Sequence, residues 1–123
     1  MINSISWFEI PVTDMDRAKA FYETVFDVEI KIQDFGGVLM GWFPQPDKVG
    51  AASGSLIKHE SYVPSAEGVL LYFSSDDVNV PLLKVNNAGG KVFQEKTQIS
   101  EEYGYMAVFL DTEGNRIALH SIS

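Results

Sequence analysis

Cysteine is absent from this 123-residue chain, and basic residues are scarce. The absence of cysteine excludes disulfides, thiolate metal sites and cysteine nucleophiles. Nine Lys and Arg residues against seventeen Asp and Glu residues give a formal net charge of −8. Such a surface repels nucleic-acid phosphates and anionic lipids. We therefore expect neither nucleic acid nor a membrane among the partners of this protein.

Long apolar runs and common catalytic motifs are also missing. Apolar stretches such as Val69–Phe73 and Met106–Leu110 are far shorter than the roughly 20 residues of a membrane span. The segment that precedes Trp7 lacks the basic start and apolar centre of a signal peptide. The sequence has no phosphate-binding loop and no Gly-x-Ser-x-Gly nucleophile motif. These absences favour a cytoplasmic location.

What the sequence does contain is a repeated pattern of strands and helices, in a composition that is 46% hydrophobic and 12% aromatic. In the first half we predict strands Ser6–Val12, Glu29–Gln33, Val38–Phe43 and Gly50–Ile57, and helix Met15–Phe26. In the second half we predict strands Val69–Phe73, Lys91–Glu95, Gly104–Leu110 and Arg116–Ser121, and helix Asp77–Ala88. The repeat predicts one domain over 1–123, with module 1 at about 1–58, a linker at about 58–68 and module 2 at about 69–123.

Side-chain alternation sorts the residues of the predicted strands between a helix-covered face and an open groove. Phe8, Ile10 and Val12 form the apolar set of the first strand and are expected under the helix. In the second half the helix side takes Leu71, Phe73, Ile117 and Leu119. The residues then left on the groove side are Trp7, Glu9, Leu70, Tyr72, Arg116, Ala118 and His120.

Two segments carry a resemblance to a known family. The stretch from Trp7 to Glu23 (WFEIPVTDMDRAKAFYE) and the turn DTEGNRI at Asp111–Ile117 are similar to the corresponding parts of the vicinal oxygen chelate superfamily. That superfamily includes glyoxalase I, bleomycin-resistance proteins and extradiol dioxygenases, and the chain most resembles its small glyoxalase-like members. The resemblance implies an α+β fold: two tandem β-α-β-β-β modules whose curved mixed sheets enclose a shared groove. It also implies a homodimer.

The resemblance further implies a metal in the groove, but this chain lacks the residues that would bind it. The four family ligand positions correspond to Trp7, Ser55, Leu70 and Ala118. An indole, a neutral hydroxyl and two alkyl groups do not form the set of imidazole and carboxylate donors that zinc or iron requires. We therefore expect no metal and no cofactor, and neither glyoxalase I nor dioxygenase activity.

A shifted metal site is the alternative to a metal-free groove. Glu9, His59 and His120 could supply two imidazoles and a carboxylate, and Asp111 is a further donor. His59 lies at the start of the linker, where the sequence offers nothing to fix it. The metal-free interpretation is therefore favoured.

Three functions follow from a metal-free groove. The first is binding of a small apolar or aromatic molecule. Its walls would be Trp7, Leu70, Tyr72 and Ala118, and its polar anchors Glu9, Arg116 and His120. The second is a lyase or isomerase that acts on a small carbonyl compound with Glu9 as general base, Tyr72 and His120 being further catalytic candidates. The third is a structural or regulatory dimer with a vestigial cavity. Independently of these functions, Glu9 has a structural interpretation, an ion pair with Arg116, Lys58 or His120.

Overall fold

The computed structural model describes residues 5–47 and 52–123. The first module contains strands β1 (Trp7–Pro11), β2 (Lys31–Phe35), β3 (Val38–Trp42) and β4 (Ser53–Lys58), and helix α1 (Met15–Phe26). The second contains strands β5 (Leu71–Ser74), β6 (Lys91–Ser100), β7 (Gly104–Leu110) and β8 (Arg116–Ser121), and helix α2 (Asn79–Leu82). Among these residues, no helix combines the length and the apolarity that a membrane crossing requires.

Each module builds its own four-stranded mixed sheet. The N-terminal sheet has the order β1-β4-β3-β2 and the C-terminal sheet the order β5-β8-β7-β6. The β1–β4 and β5–β8 pairs are parallel, and the remaining pairs are antiparallel. The predicted α+β fold of two tandem β-α-β-β-β modules is confirmed. The described strands form two separate sheets rather than one closed barrel.

Helix α1 begins and ends where the sequence predicts, at Met15 and Phe26. The Asp14 side chain accepts a hydrogen bond from the Arg17 backbone N–H at 3.1 Å, which caps the first turn. At the other end Asp27 adopts a left-handed conformation with φ of 53° and ends the helix.

Helix α2 is much shorter than the predicted Asp77–Ala88 segment. Beyond Leu82 the backbone N–H groups of Lys84 and Val85 donate to carbonyls three residues back, which makes tighter turns than an α-helix. The asparagines and glycines that follow are poor helix formers, and the Asn86 side chain accepts from the Val92 N–H at 3.1 Å. Local polar bonds thus replace the last helical turns.

Several strand boundaries also differ from the prediction. β2 lies two residues later, and β6 continues to Ser100, through irregular pairing with β7, instead of ending at Glu95. β5 begins at Leu71 rather than Val69. The predicted start of the fourth strand, Gly50, lies outside the described residues.

One hydrophobic core joins the two modules. It combines one face of each sheet with both helices, and includes Ile10, Val12, Ile117 and Leu119 as predicted. The Phe73 ring of β5 lies 5.4 Å from the Phe8 ring and 5.8 Å from the Phe43 ring, centroid to centroid. Each sheet therefore has an inner face in this core and an outer face turned away from it.

The turn between β7 and β8 fastens the C-terminal module to β1 and α1. The Tyr22 hydroxyl donates to Asp111 Oδ2 at 2.6 Å, and Asn115 Nδ2 donates to the Pro11 carbonyl at 2.7 Å. Burial, reinforced by the Asp111 charge, raises the pKa of Tyr22 well above its usual value. Tyr22 therefore remains a protonated hydrogen-bond donor.

Candidate functional site

The outer face of the N-terminal sheet brings together polar and aromatic side chains from three strands. Glu9 of β1 is the register partner of Ser55 of β4, and Ser55 is in turn the partner of Trp42 of β3. Trp7 lies two residues from Glu9 on the same face. We call Trp7, Glu9, Trp42 and Ser55 the tryptophan row.

The two indoles of the tryptophan row pack against each other. The Trp7 and Trp42 rings are 5.1 Å apart in an edge-to-face arrangement, and Phe35 stacks beside Trp42 at 6.2 Å. This geometry is a favourable one for aromatic side chains and fixes the rings. Trp7 and Trp42 are both partly exposed, so a planar molecule can reach them.

Two hydrogen-bond donors of the tryptophan row are buried without a partner among the described residues. Ser55 is fully buried, and neither its Oγ nor the Nε1 of Trp42 forms a hydrogen bond there. Leaving a buried donor unpaired costs about 1–3 kcal/mol. Ser55 and Trp42 are opposite each other on neighbouring strands, so the two unpaired donors belong to adjacent positions of the same sheet face.

The outer face of the C-terminal sheet carries three other predicted residues. Tyr72 pairs with Ala118, and His120 lies two residues further along β8. The Tyr72 side chain is 53% exposed, whereas Ala118 is fully buried. The Nε2 of His120 is 2.7 Å from the Tyr103 carbonyl oxygen; because a carbonyl only accepts, Nε2 carries the proton in this contact.

A cleft between the two modules is lined by two of the charged groove residues predicted from the sequence, Glu9 and Arg116. It has a volume of about 220 Å³ and is lined by Glu9 and Pro11 of β1, by Arg116 and by linker residues such as Val63. Leu70 follows the lining residue Val69 in the chain and precedes β5. The structural ion pair considered for Glu9 is not formed in the described part of the chain. The salt bridges there are Arg17–Glu113, Lys19–Glu23 and Lys96–Asp77.

The family ligand positions do not form a site suited to a metal. Trp7 and Ser55 lie on the N-terminal outer face, Ala118 lies on the C-terminal one, and Leu70 precedes β5. Together they offer one hydroxyl oxygen and no imidazole or carboxylate. The residues present do not fit the metal of the family.

The shifted metal set is also dispersed. Asp111 is buried and accepts from Tyr22 and Asn115. His59 lies after β4, where its Nδ1 accepts from the Ser61 backbone N–H at 3.1 Å. Among the described residues no three His, Asp or Glu side chains come together as metal ligands.

The pairing of Trp42 with Ser55 was not predicted from the sequence. The glycine pair Gly36-Gly37 forms the predicted two-residue turn, which places Phe35 opposite Val38 and hence Lys31 opposite Trp42. That register was available from the sequence. The pairing of β3 with β4 was not, because it depends on the loop that separates them.

Comparison with known proteins agrees with this architecture. Residues 4–119 match the model of the Glyoxalase/Bleomycin resistance protein/Dioxygenase superfamily. A glyoxylase-like domain-containing protein of Didymella fabae is 30% identical over 118 residues, which cover 94% of this chain and 91% of the relative.

Solved structures share the fold. TnmS3, an antibiotic binding protein from Streptomyces sp. CB03234, superposes with a TM-score of 0.67 and 24% identity, over 97% of this chain and 95% of that one. A glyoxalase I mutant from Zea mays superposes with a TM-score of 0.71 and 16% identity. In that case 95% of this chain spans only 46% of the maize chain. The family match over nearly the whole chain, together with the tandem modules, means that this chain belongs to the Glyoxalase/Bleomycin resistance protein/Dioxygenase superfamily.

Proposed function

We propose that this protein binds a small, planar, largely apolar molecule that carries a hydrogen-bond acceptor, and that it does so without a metal. The observation that carries the proposal is the pair of buried, unpartnered donors in the tryptophan row, Ser55 Oγ and Trp42 Nε1. Trp7 and Trp42 supply the aromatic surface on which such a molecule stacks. The antibiotic-binding role of the structural neighbour TnmS3 supports ligand binding as the function of this fold.

Tryptophan fluorescence reports on this site directly, because the chain has two tryptophans and both belong to the row. We expect acetylnaphthalene to quench the fluorescence and to bind more tightly than ethylnaphthalene, which has the same rings but no carbonyl. Ser55→Ala and Trp42→Phe should each weaken acetylnaphthalene binding by about 3- to 10-fold, the effect of losing one hydrogen bond.

The control is Tyr103→Phe, which changes a 62% exposed ring in the turn between β6 and β7. It should leave the affinity unchanged. Equal binding of the two naphthalenes by the wild-type protein, or unchanged affinity in both row variants, would overturn the proposal. Ser55→Ala removes only a hydroxyl that has no partner in the described structure, so this variant should keep its folding stability.

A carbonyl-directed enzyme is the second candidate, and the position of Glu9 favours it. Glu9 is exposed and lies directly opposite Ser55 in register. A ketone held by the two donors would place its α-hydrogens beside this carboxylate, which could accept a proton while the donors stabilise the enolate oxygen. Deuterium exchange of the acetyl methyl group in D₂O, followed by NMR, distinguishes the candidates. A binder gives the buffer rate, whereas an enzyme gives an accelerated rate that Glu9→Gln abolishes.

We also propose that the protein is a homodimer. Tyr72 and Phe35 lie on the outer faces of the two sheets and are 53% and 54% exposed. A second copy would cover these faces and enclose the tryptophan row. The cytoplasmic location and the absence of nucleic-acid partners remain predictions from composition.

A further inference from the structure

The cleft between the modules has a chemistry of its own. One charge of each sign lines it: Glu9 from β1 and Arg116 from the start of β8. Its remaining surface is largely aliphatic, from residues such as Ile10, Val63 and Leu71. The cleft shares Glu9 with the tryptophan row but lies along the edge of β1, on the side of the linker.

Arg116 is the more unusual of the two charges. Its Nε is buried and has no hydrogen-bond acceptor among the described residues. The chain has only one other arginine, Arg17, which contacts Glu113 at 2.7 Å. A buried guanidinium N–H without an acceptor is costly. Arg116 Nε is in this position although the chain carries eight more acidic than basic residues. Because Arg116 lines the cleft while its Nε has almost no accessible surface, a carboxylate bound there would reach this N–H through a small movement of the Arg116 side chain. It would then supply the acceptor in the planar, two-pronged geometry that arginine prefers.

The negative charge of Glu9 determines which second charged group a carboxylate ligand needs. It forms no salt bridge with Arg116 or with any other described residue. A ligand with only a carboxylate would bring a second negative charge next to Glu9, whereas a ligand with an additional ammonium group would satisfy both side chains. The volume of about 220 Å³ limits the ligand to a small molecule.

We propose that this cleft binds a small zwitterion with an aliphatic body, of the kind represented by a branched-chain amino acid. Arg116 binds the carboxylate, Glu9 binds the ammonium group, and the aliphatic lining contacts the side chain. The proposal shares Glu9 with the tryptophan row but does not depend on Trp7, Trp42 or Ser55. Leucine binding without acetylnaphthalene binding would contradict only the proposed function, and the reverse result would contradict only the zwitterion site.

Isothermal titration calorimetry with L-leucine tests the proposal, with two probes that each lack one charge. Isocaproate has the carboxylate without the ammonium group, and isoamylamine has the ammonium group without the carboxylate. We expect leucine to bind at least 10-fold more tightly than either. In ¹⁵N-labelled protein, leucine should shift the amide signals of Val69 and Ile117, which line the cleft.

Two variants test which charged group of the ligand binds Arg116 and which binds Glu9. Arg116→Gln should weaken leucine binding by about 10-fold or more, and Glu9→Gln should reverse the preference so that isocaproate gains relative to leucine. Lys91→Gln and Glu101→Gln make the same charge changes at exposed positions away from the cleft and should change neither affinity. No leucine binding at millimolar concentration, equal affinity for the three probes, or full leucine affinity in Arg116→Gln would overturn the proposal. The probe comparison uses the wild-type protein, so it stands even where a variant fails to fold.

Discussion

Single residues show most clearly where the sequence suffices and where it does not. Strand alternation correctly places Ile10 and Ile117 in the core, because a strand with one apolar face has one stable orientation. The lack of an acceptor for Arg116 Nε among the described residues could not be predicted in the same way. Whether Arg116 finds an acceptor depends on how far β8 lies from every carboxylate of the fold. The sequence was equally compatible with an ion pair between Arg116 and Glu9.

Glu113 is a residue whose importance the sequence analysis missed. Its Oε1 accepts from the backbone N–H groups of Thr13 and Asp14 at 2.8 and 2.9 Å, and its Oε2 accepts from Arg17 Nε at 2.7 Å. Burial would raise the pKa of the Glu113 carboxyl, but these hydrogen bonds outweigh it and lower the pKa from 4.5 to about 2. Glu113 thus binds the start of α1 to the turn before β8.

The lowered pKa fixes the pH at which this contact stabilises the fold. A carboxyl group with a depressed folded-state pKa contributes stability that is complete above the unfolded value of about 4.5 and is lost as the pH falls towards 2. We expect Glu113→Gln to lower the free energy of unfolding by about 2 kcal/mol at pH 7, a value reduced because Arg17 is half exposed.

Urea unfolding of the wild type and of Glu113→Gln, measured between pH 7 and pH 2.5, tests this expectation. The difference between the two proteins should shrink progressively below pH 4.5. Glu101→Gln, at an exposed turn position, serves as the control. A difference that stayed constant with pH would show that the Glu113 charge contributes nothing.

At the scale of elements, long periodic segments were predicted better than short or polar ones. The prediction for α1 was correct at both ends because the cap at Asp14 and the apolar stripe both agree with a helix over Met15–Phe26. The extension of β6 to Ser100 was missed because its last residues are mostly polar and exposed. Its pairing with β7, and not its own pattern, makes this segment a strand.

The turn that joins β6 to β7 depends on Gly104. This residue has φ of +81°, and a Cβ atom there would contact the Ser121 carbonyl oxygen and lie 2.7 Å from the Ile122 Cα. Gly104→Ala should therefore lower the free energy of unfolding by about 2 kcal/mol or more, from left-handed strain and from the displacement of the end of β8.

Thermal unfolding followed by circular dichroism measures this effect. Gly68→Ala is the matched control, because a Cβ at Gly68 meets no atom within 4 Å and its φ lies outside the left-handed region. It should shift the free energy of unfolding by less than about 0.5 kcal/mol. Equal effects of the two substitutions would contradict the close packing described for Gly104.

At the scale of the whole molecule, the tandem modules and the α+β class were predictable, but the way the modules meet was not. The repeat fixes two similar sheets, whereas their relative placement depends on contacts such as Phe8–Phe73 that join residues far apart in the chain. The predicted groove residues consequently lie on two outer faces and along a cleft.

The exposed outer faces lead to the prediction of a dimer in solution. Light scattering coupled to size exclusion should give about twice the monomer mass of 13.7 kDa. Tyr72→Asp should shift the protein towards the monomer, because it places a charge on the proposed interface. Val80→Asp, at a 59% exposed position of α2, should leave the mass unchanged. A monomeric wild-type protein at micromolar concentration would contradict the dimer.

The shared core also has a consequence for biosynthesis. While the chain leaves the ribosome, the first module emerges with Phe8 and Phe43 facing water, because Phe73 and Phe109, which complete the core in the native state, are translated later. The core shared by the two modules is therefore complete only after β8 has been synthesised. A nascent chain halted in the linker would expose an aggregation-prone aromatic surface. This is the species that a chaperone would have to protect.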